Sequence, residues 1–225
     1  MRRVVGVDGC RGGWVGVVLG GGAPPRAVFG PAIVALMDRV GEVAAVAVDM
    51  PLHLSDRPWP RPCDVETRRF LGARRHTLFV VPPRAAYAAA TYAEACAVAR
   101  AATGKAPSRQ AWALGPKIAE VEAWHRARPG EVHEVHPETS FAVMAGGPLA
   151  TRKATPEGVA ERRAALAAAG IALPDGLGRR GTGAAEDDVL DAAAAAWSAR
   201  RIAAGAARAF GAVAWPDGCV QAIWA

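Results

Sequence analysis

Lysine is nearly missing from this chain. Of its 27 basic residues, Lys105, Lys117 and Lys153 are the only lysines, so arginine carries almost all the positive charge. The net charge of +6 and pI near 9.7 suit a polyanionic partner. An Ala- and Arg-rich composition of this kind also arises from a GC-rich genome, so charge alone identifies no partner. Cysteine is sparse and scattered: Cys10, Cys63, Cys96 and Cys219 form no Cys-x-x-Cys pair. That spacing excludes a zinc ribbon or a disulfide framework and leads us to expect reduced thiols in the cytoplasm. No Gly-x-Gly-x-x-Gly follows a strand and no Gly-Lys-Ser/Thr occurs, which excludes dinucleotide and P-loop sites. Long uncharged apolar runs are absent as well. The N-terminal run after Arg2 and Arg3 is interrupted by Asp8 and Arg11, unlike a signal peptide, and the Ala-rich final helix carries Arg200, Arg201 and Arg208. No membrane span, internal repeat or heptad pattern is expected.

What is present is enough apolar material for one core: 225 residues, 52% hydrophobic. The expectation is a single domain over residues 1–225 with a helical insertion at about 60–127. Residues 3–8 and 14–19 read as a hairpin closed by a Gly-rich turn. A short strand near 27–29 and a helix from Pro31 to about Gly41 follow. Residues 43–48 are apolar throughout, as a central parallel strand requires. Past the Pro/Arg-dense loop 51–62, helices are predicted near 64–72, 85–103 and 108–126. A strand at 131–135 and helices near 139–145 and 156–169 come next. A Gly-rich loop at 176–183, a long helix over 185–208 and a Pro216-Asp217-Gly218 turn complete the reading. The order implies an antiparallel start that becomes parallel.

Three acidic positions stand out. Asp8 ends the first strand, Asp49 ends the 43–48 strand, and Glu186-Asp187-Asp188-Val189-Leu190-Asp191 opens the long helix. Each alone reads as a turn or helix cap. Together they acquire chemistry, because neighbouring strands lie about 4.8 Å apart and two metal ions about 3.5–4 Å apart share carboxylates. Asp188 and Asp191, three apart on a helix, present one face. The expected site therefore holds Mg²⁺ or Mn²⁺ on Asp8, Asp49, Asp188 and Asp191, and the leading functional class is a metal-dependent nuclease.

The stretches Gly6-Val7-Asp8-Gly9-Cys10-Arg11-Gly12-Gly13-Trp14, Val48-Asp49-Met50-Pro51-Leu52, Pro116-Lys117-Ile118-Ala119-Glu120-Val121, Glu134-Val135-His136-Pro137-Glu138-Thr139-Ser140-Phe141 and Asp188-Val189-Leu190-Asp191-Ala192 span most of the chain. In them the sequence resembles the domain of unknown function 429 family, a predicted RNase H-like nuclease family. The Asp188–Ala192 stretch also resembles the last catalytic helix of RuvC-type resolvases. The resemblance implies an α/β fold, a mixed five-stranded sheet with three antiparallel strands and then parallel ones, flanked by helices. It implies catalytic roles for Asp8, Asp49, Asp188 and Asp191, with Glu138 as a further ligand or acid/base group.

Arg11, Arg84, Lys117 and Lys153 are candidate phosphate contacts, and His136 a further substrate contact. His133 and His136 face opposite sides of a strand, so they do not share one metal. The cluster Arg68, Arg69, Arg74, Arg75, His76 and Arg84 suits a nucleic-acid backbone. Among the tryptophans Trp59 alone is a candidate for base stacking. Gly9, Gly12 and Gly13 either cradle a phosphate or simply form the turn. Two rivals remain: a non-catalytic binding or regulatory protein on the same scaffold, and an actin-like or sugar-kinase-type phosphotransferase. DNA, RNA and small phosphoesters stay open as substrates, as does the oligomeric state.

Overall fold

The structure, a computed structural model, describes all residues except 1, 53, 55–58, 129, 178–183 and 216–219. Most of the expected 176–183 loop, the Pro216-Asp217-Gly218 turn and Cys219 lie outside the described residues.

The first three strands, β1 (Val4–Cys10), β2 (Gly13–Gly20) and β3 (Ala23–Gly30), form an antiparallel meander. Gly12 turns the first hairpin at φ 82°, a left-handed conformation that glycine adopts without a Cβ penalty. Helix α1 (Ile33–Val40) then leads to β4 (Val46–Val48), which pairs in parallel with β1. Five helices and a 3₁₀ turn intervene before β5 (Val132–Glu134) joins β4, again in parallel. They are α2 (Pro62–Leu71), the 3₁₀ turn Gly72–Thr77, α3 (Arg84–Tyr87), α4 (Tyr92–Thr103), α5 (Arg109–Ala113) and α6 (Gly115–Arg126). The sheet order is β3-β2-β1-β4-β5, a mixed five-stranded sheet with three antiparallel strands followed by parallel ones.

Strand alternation decides what each face meets. Val5 and Val7 of β1 point with Trp14 and Val18 toward α1 and α6, packing on Leu36, Ile118 and Val121. Val4, Val15 and Val17 point the other way, into a core with Phe141 of α7 (Pro137–Ala145), Leu166 of α8 (Pro156–Ala168) and α9 (Glu186–Ala203). Gly6 belongs to this second face, and there α9 comes onto the strand backbone itself. A Cβ at Gly6 would lie 1.9 Å from the amide N of Ala196 and 2.3 Å from the carbonyl O of Ala192. The buried run Ala192–Ala196 makes the approach possible from the helix side.

Several boundaries differ from the sequence reading. Helix 85–103 divides because Thr91 starts α4 with a capping box, its Oγ1 accepting from the Glu94 amide while Glu94 accepts from the Thr91 amide. Helix α9 stops at Ala203, short of 208, since Gly205 turns the chain at φ 67°. The chain then forms an unexpected antiparallel pair, β6 (Ala209–Ala214) and β7 (Val220–Trp224). Trp224 bridges in parallel to Val135, and Phe210 and Ile223 pack with Cys63 and Leu71 of α2. Among the described residues no helix is long and apolar enough to cross a membrane.

Candidate functional site

The parallel ladder between β1 and β4 sets Val7 opposite Val48 and continues as the Asp49 amide donates to the Val7 carbonyl at 2.9 Å. Asp8, which the sequence placed at the end of its strand, lies two residues inside β1, beside Asp49, which follows directly on β4. Asp8 shares the face of Gly6, the face covered by α9, whose first two turns carry Asp188 and Asp191. All four carboxylates line one cavity of about 520 Å³. Arg61, Arg74, Thr77, Phe79, Gln110 and Leu114, from the segment between β4 and β5, wall the same cavity. This segment thus lies over the carboxyl ends of the parallel strands, where open sheets gather ligands.

Each carboxylate is held differently. Asp8 accepts from the Gly9 amide at 2.7 Å, so that glycine's N–H orients an acid. Asp188 accepts the Ala185 amide on Oδ2 at 3.0 Å, capping α9. Asp191 is buried; its Oδ2 takes the Lys153 ammonium at 2.7 Å, while its Oδ1 is buried with no hydrogen-bond partner. An unpartnered buried carboxylate oxygen costs free energy that hydrogen bonding elsewhere in the fold does not recover.

The electrostatics follow from this crowding. Burial raises the Asp8 carboxyl well above its ordinary value; Asp49, Asp191 and Asp188 add to the rise and Lys153 opposes it. Asp49 is pushed up to about 8, by burial first and then by Asp191, Glu134 and Glu138, against Lys153. Asp191 rises to about 6 through burial, with Lys153 again opposing. Burial also raises Asp188, partly offset by the Ala185 amide. Burial alone would depress the Lys153 ammonium, yet Asp191, Asp8 and Asp49 together hold it above its ordinary value. Like charges crowded into one cavity disfavour their own ionisation, and a cation among them is correspondingly held.

The remaining sequence candidates separate into two groups. Lys153, His136 and Glu138 line the cavity with the four aspartates. Glu138 is engaged on both oxygens, by Arg162 on Oε1 (Nε at 3.0 Å) and by Arg74 on Oε2 at 3.4 Å. His136 is a pin between elements: Nδ1 meets Thr139 Oγ1 at 2.9 Å and Nε2 meets the Thr77 carbonyl at 3.3 Å. Burial pushes its imidazole down to about 4, so the ring is neutral.

Arg11, Arg84 and Lys117 are not among the cavity's lining residues. Arg11 is exposed in the β1–β2 turn. Arg84 pairs with Glu122 on α6 and donates to the Leu54 carbonyl at 2.7 Å. Lys117 donates to the Gly13 carbonyl and lies 4.2 Å from the Trp14 ring centre, clamping the first hairpin. Trp59 walls a second cavity of about 240 Å³, with its indole N–H given to the Val81 carbonyl at 2.8 Å; Phe79 borders both cavities.

The sequence reading did not find a second acidic centre beside the first. Cys63, Asp64 and Glu134 bring ligand-type atoms within 4.8 Å of one another, the one such group of three among the described residues. No three of Asp8, Asp49, Asp188 and Asp191 bring carboxylate oxygens within that distance of one another. In the second centre a guanidinium already supplies the charge. Arg61 gives Asp64 two bonds, at 2.7 and 3.1 Å, and Glu134 two more, at 2.6 and 2.9 Å. Glu134 also accepts the Leu52 amide at 3.0 Å. A glutamate inside the expected 131–135 strand was the one available signal for this centre.

No curated protein and no solved structure matches the chain. A sequence model of one family matches residues 6–214, from the Gly-x-Asp strand through α9 and into β6, and the chain belongs to that family, described as "Protein of unknown function (DUF429)".

Proposed function

We propose that the protein is a metal-dependent phosphodiester hydrolase acting on nucleic acid, with Asp8, Asp49, Asp188 and Asp191 as the groups that would hold Mg²⁺ or Mn²⁺. The observation that carries this reading is Asp191 Oδ1, a buried carboxylate oxygen without a partner in a cavity shared with three more aspartates. An oxygen-only donor set of this kind suits hard divalent cations. Such an ion, when bound, supplies Lewis acidity and lowers the pKa of water. The chain's own residues do the rest. The Gly9 amide and the α9 cap fix Asp8 and Asp188 in place. Phe79, Leu78 and Leu114 form an apolar wall of the cavity, and Arg74, Arg152 and Lys153 give another wall positive charge for a phosphate. The buried thiols Cys10, Cys63 and Cys96 suit a reducing compartment, and we place the protein in the cytoplasm.

Binding to the folded state alone stabilises it by mass action. Millimolar Mg²⁺ or Mn²⁺ should raise the melting temperature of the wild type, and Asp8→Asn should remove most of that rise. The same pair of proteins, assayed on single-stranded, duplex and branched DNA, on RNA and on small phosphoesters, should differ by several orders of magnitude in rate. A wild type that gains no stability from either ion and cleaves none of these substrates refutes the reading.

One observation favours a second reading. The Lys153 ammonium on Asp191 already supplies a positive charge to the cluster. On that reading the scaffold binds its partner without catalysis, and Asp8→Asn would leave binding of DNA or RNA intact.

A further inference from the structure

Lys153 lies in the segment between α7 and α8, and its place in the charge pattern is unusual. Its side chain is 47% exposed while that of its partner Asp191 is 4% exposed. The flexible stem thus reaches in from solvent and sets a cation against the floor of the cavity. Burial and Asp191 dominate its surroundings, and Asp8 and Asp49 also act on it. Asp188 feels the ammonium too. One Asp191 oxygen is satisfied by this contact and the other is left without a partner. Lys117 also acts on Asp188, but Lys153 is the positive charge common to all four carboxylates, and it neutralises them incompletely. Arg152, the preceding residue, borders the same cavity from an exposed position.

We propose that Lys153 is an internal counter-ion that a divalent cation displaces from Asp191, and that the released ammonium then meets the substrate's phosphate. The proposal rests on the metal-dependent reading above. The exchange is non-covalent: a monovalent ammonium leaves Asp191, and a divalent ion takes both of its oxygens' charge into account. Lysine suits the task because its ammonium is a compact charge on a four-carbon stem that makes no fixed fork of hydrogen bonds. Its half-exposed position gives it somewhere to go. The competition makes the cluster stable before the ion arrives and lowers the ion's apparent affinity. Once displaced, the same charge stands at the cavity mouth beside Arg152, where an anionic phosphate would be drawn.

Calorimetric titration of Mg²⁺ at pH 8 into the wild type, Lys153→Met and Lys153→Arg tests the exchange. With the built-in competitor gone, Lys153→Met should bind Mg²⁺ at least tenfold more tightly, whereas Lys153→Arg, which keeps the charge, should stay near the wild type. Inorganic phosphate titrated into the Mg²⁺-loaded proteins should bind at least tenfold more weakly to Lys153→Met. Thermal melts establish that each variant is folded, and Lys153→Gln replaces the methionine variant where that one is not. Equal or weaker Mg²⁺ binding by the neutral variant overturns the exchange and leaves the metal-dependent reading standing. Tighter binding by Lys153→Arg also overturns it, since charge would not be the cause. Unchanged phosphate binding overturns the second half. Mg²⁺ binding to none of the proteins removes the exchange and the metal-dependent reading together.

Discussion

Two buried acidic centres lie side by side in this protein, each with a cation, and they are built on opposite terms. Around Arg61 the account is closed. Its side chain is 2% exposed, those of Asp64 and Glu134 are 0% and 5% exposed, and every carboxylate oxygen of the pair accepts from the guanidinium. Around Lys153 it is open: its half-exposed ammonium acts on all four carboxylates, with Lys117 adding only to Asp188, and Asp191 Oδ1 has no partner. A planar fork that saturates two carboxylates makes a structural joint. A point charge on a flexible stem that leaves an oxygen bare does not saturate the acids around it. Proximity of acids to a base therefore separates the two centres poorly, while the count of satisfied oxygens separates them well.

The sharpest way to break this contrast is Arg61→Met. It strands Asp64 and Glu134 in the interior without a counter-charge, and losing one partner of a buried ion pair costs about 3–5 kcal/mol. Denaturant unfolding should show a loss of that size, with no recovery on adding Mg²⁺. A loss below about 1 kcal/mol would mean that Arg61 is as replaceable as we hold Lys153 to be.

A smaller effect, and one confined to the open centre, is the dependence of stability on pH. Asp49 titrates near 8 in the folded protein, against about 3.9 for an unfolded aspartate. Between these values the folded state keeps a proton the unfolded chain has lost, so stability falls as pH rises, by up to about 1.4 kcal/mol per pH unit for each such group. His133 and His136 are depressed to about 4 by burial. They act in the opposite sense below their unfolded value of about 6.5, where stability drops as pH falls. The cleaner window is therefore about pH 7.5–8, where both imidazoles are largely neutral in either state. Melting temperatures in a chelator should decline across it, and saturating Mg²⁺ should flatten the decline by taking the proton's place. A rising or level profile in the chelator would contradict the proposed crowding.

The smallest expected effect concerns Arg84, which the sequence placed among phosphate contacts and the fold gives to Glu122. Its side chain is 41% exposed, so Arg84→Ala should cost about 1 kcal/mol or less. The Mg²⁺-induced rise in melting temperature should match the wild type. A lost Mg²⁺ response would bring Arg84 back into the site.

The contrast between the centres also explains which parts were legible in the sequence. Strand periodicity and glycine turns revealed β1, β2 and the position of Asp8, because those signals are local. The Asp188–Asp191 spacing fixed a helix face for the same reason. Arg61 and Glu134 are 73 residues apart, Lys153 and Asp191 are 38 apart, and Arg162 and Glu138 are 24 apart. No local pattern records such pairings; only the folded topology creates them. The β6–β7 pair escaped notice because its stability comes from packing on α2 and from the bridge to Val135, both distant in the chain.

The missing side chain at Gly6 has a mechanical consequence. With the α9 backbone seated directly on β1, no deformable layer of methyl groups separates the strand bearing Asp8 from the helix bearing Asp188 and Asp191. These three aspartates ride on one stiff beam, and the gap between them works as a fixed gauge. On the metal-dependent reading, adjustment to the radius of an incoming ion would then come from outside the beam, from Asp49 just past the short β4 and from the segment that carries Lys153.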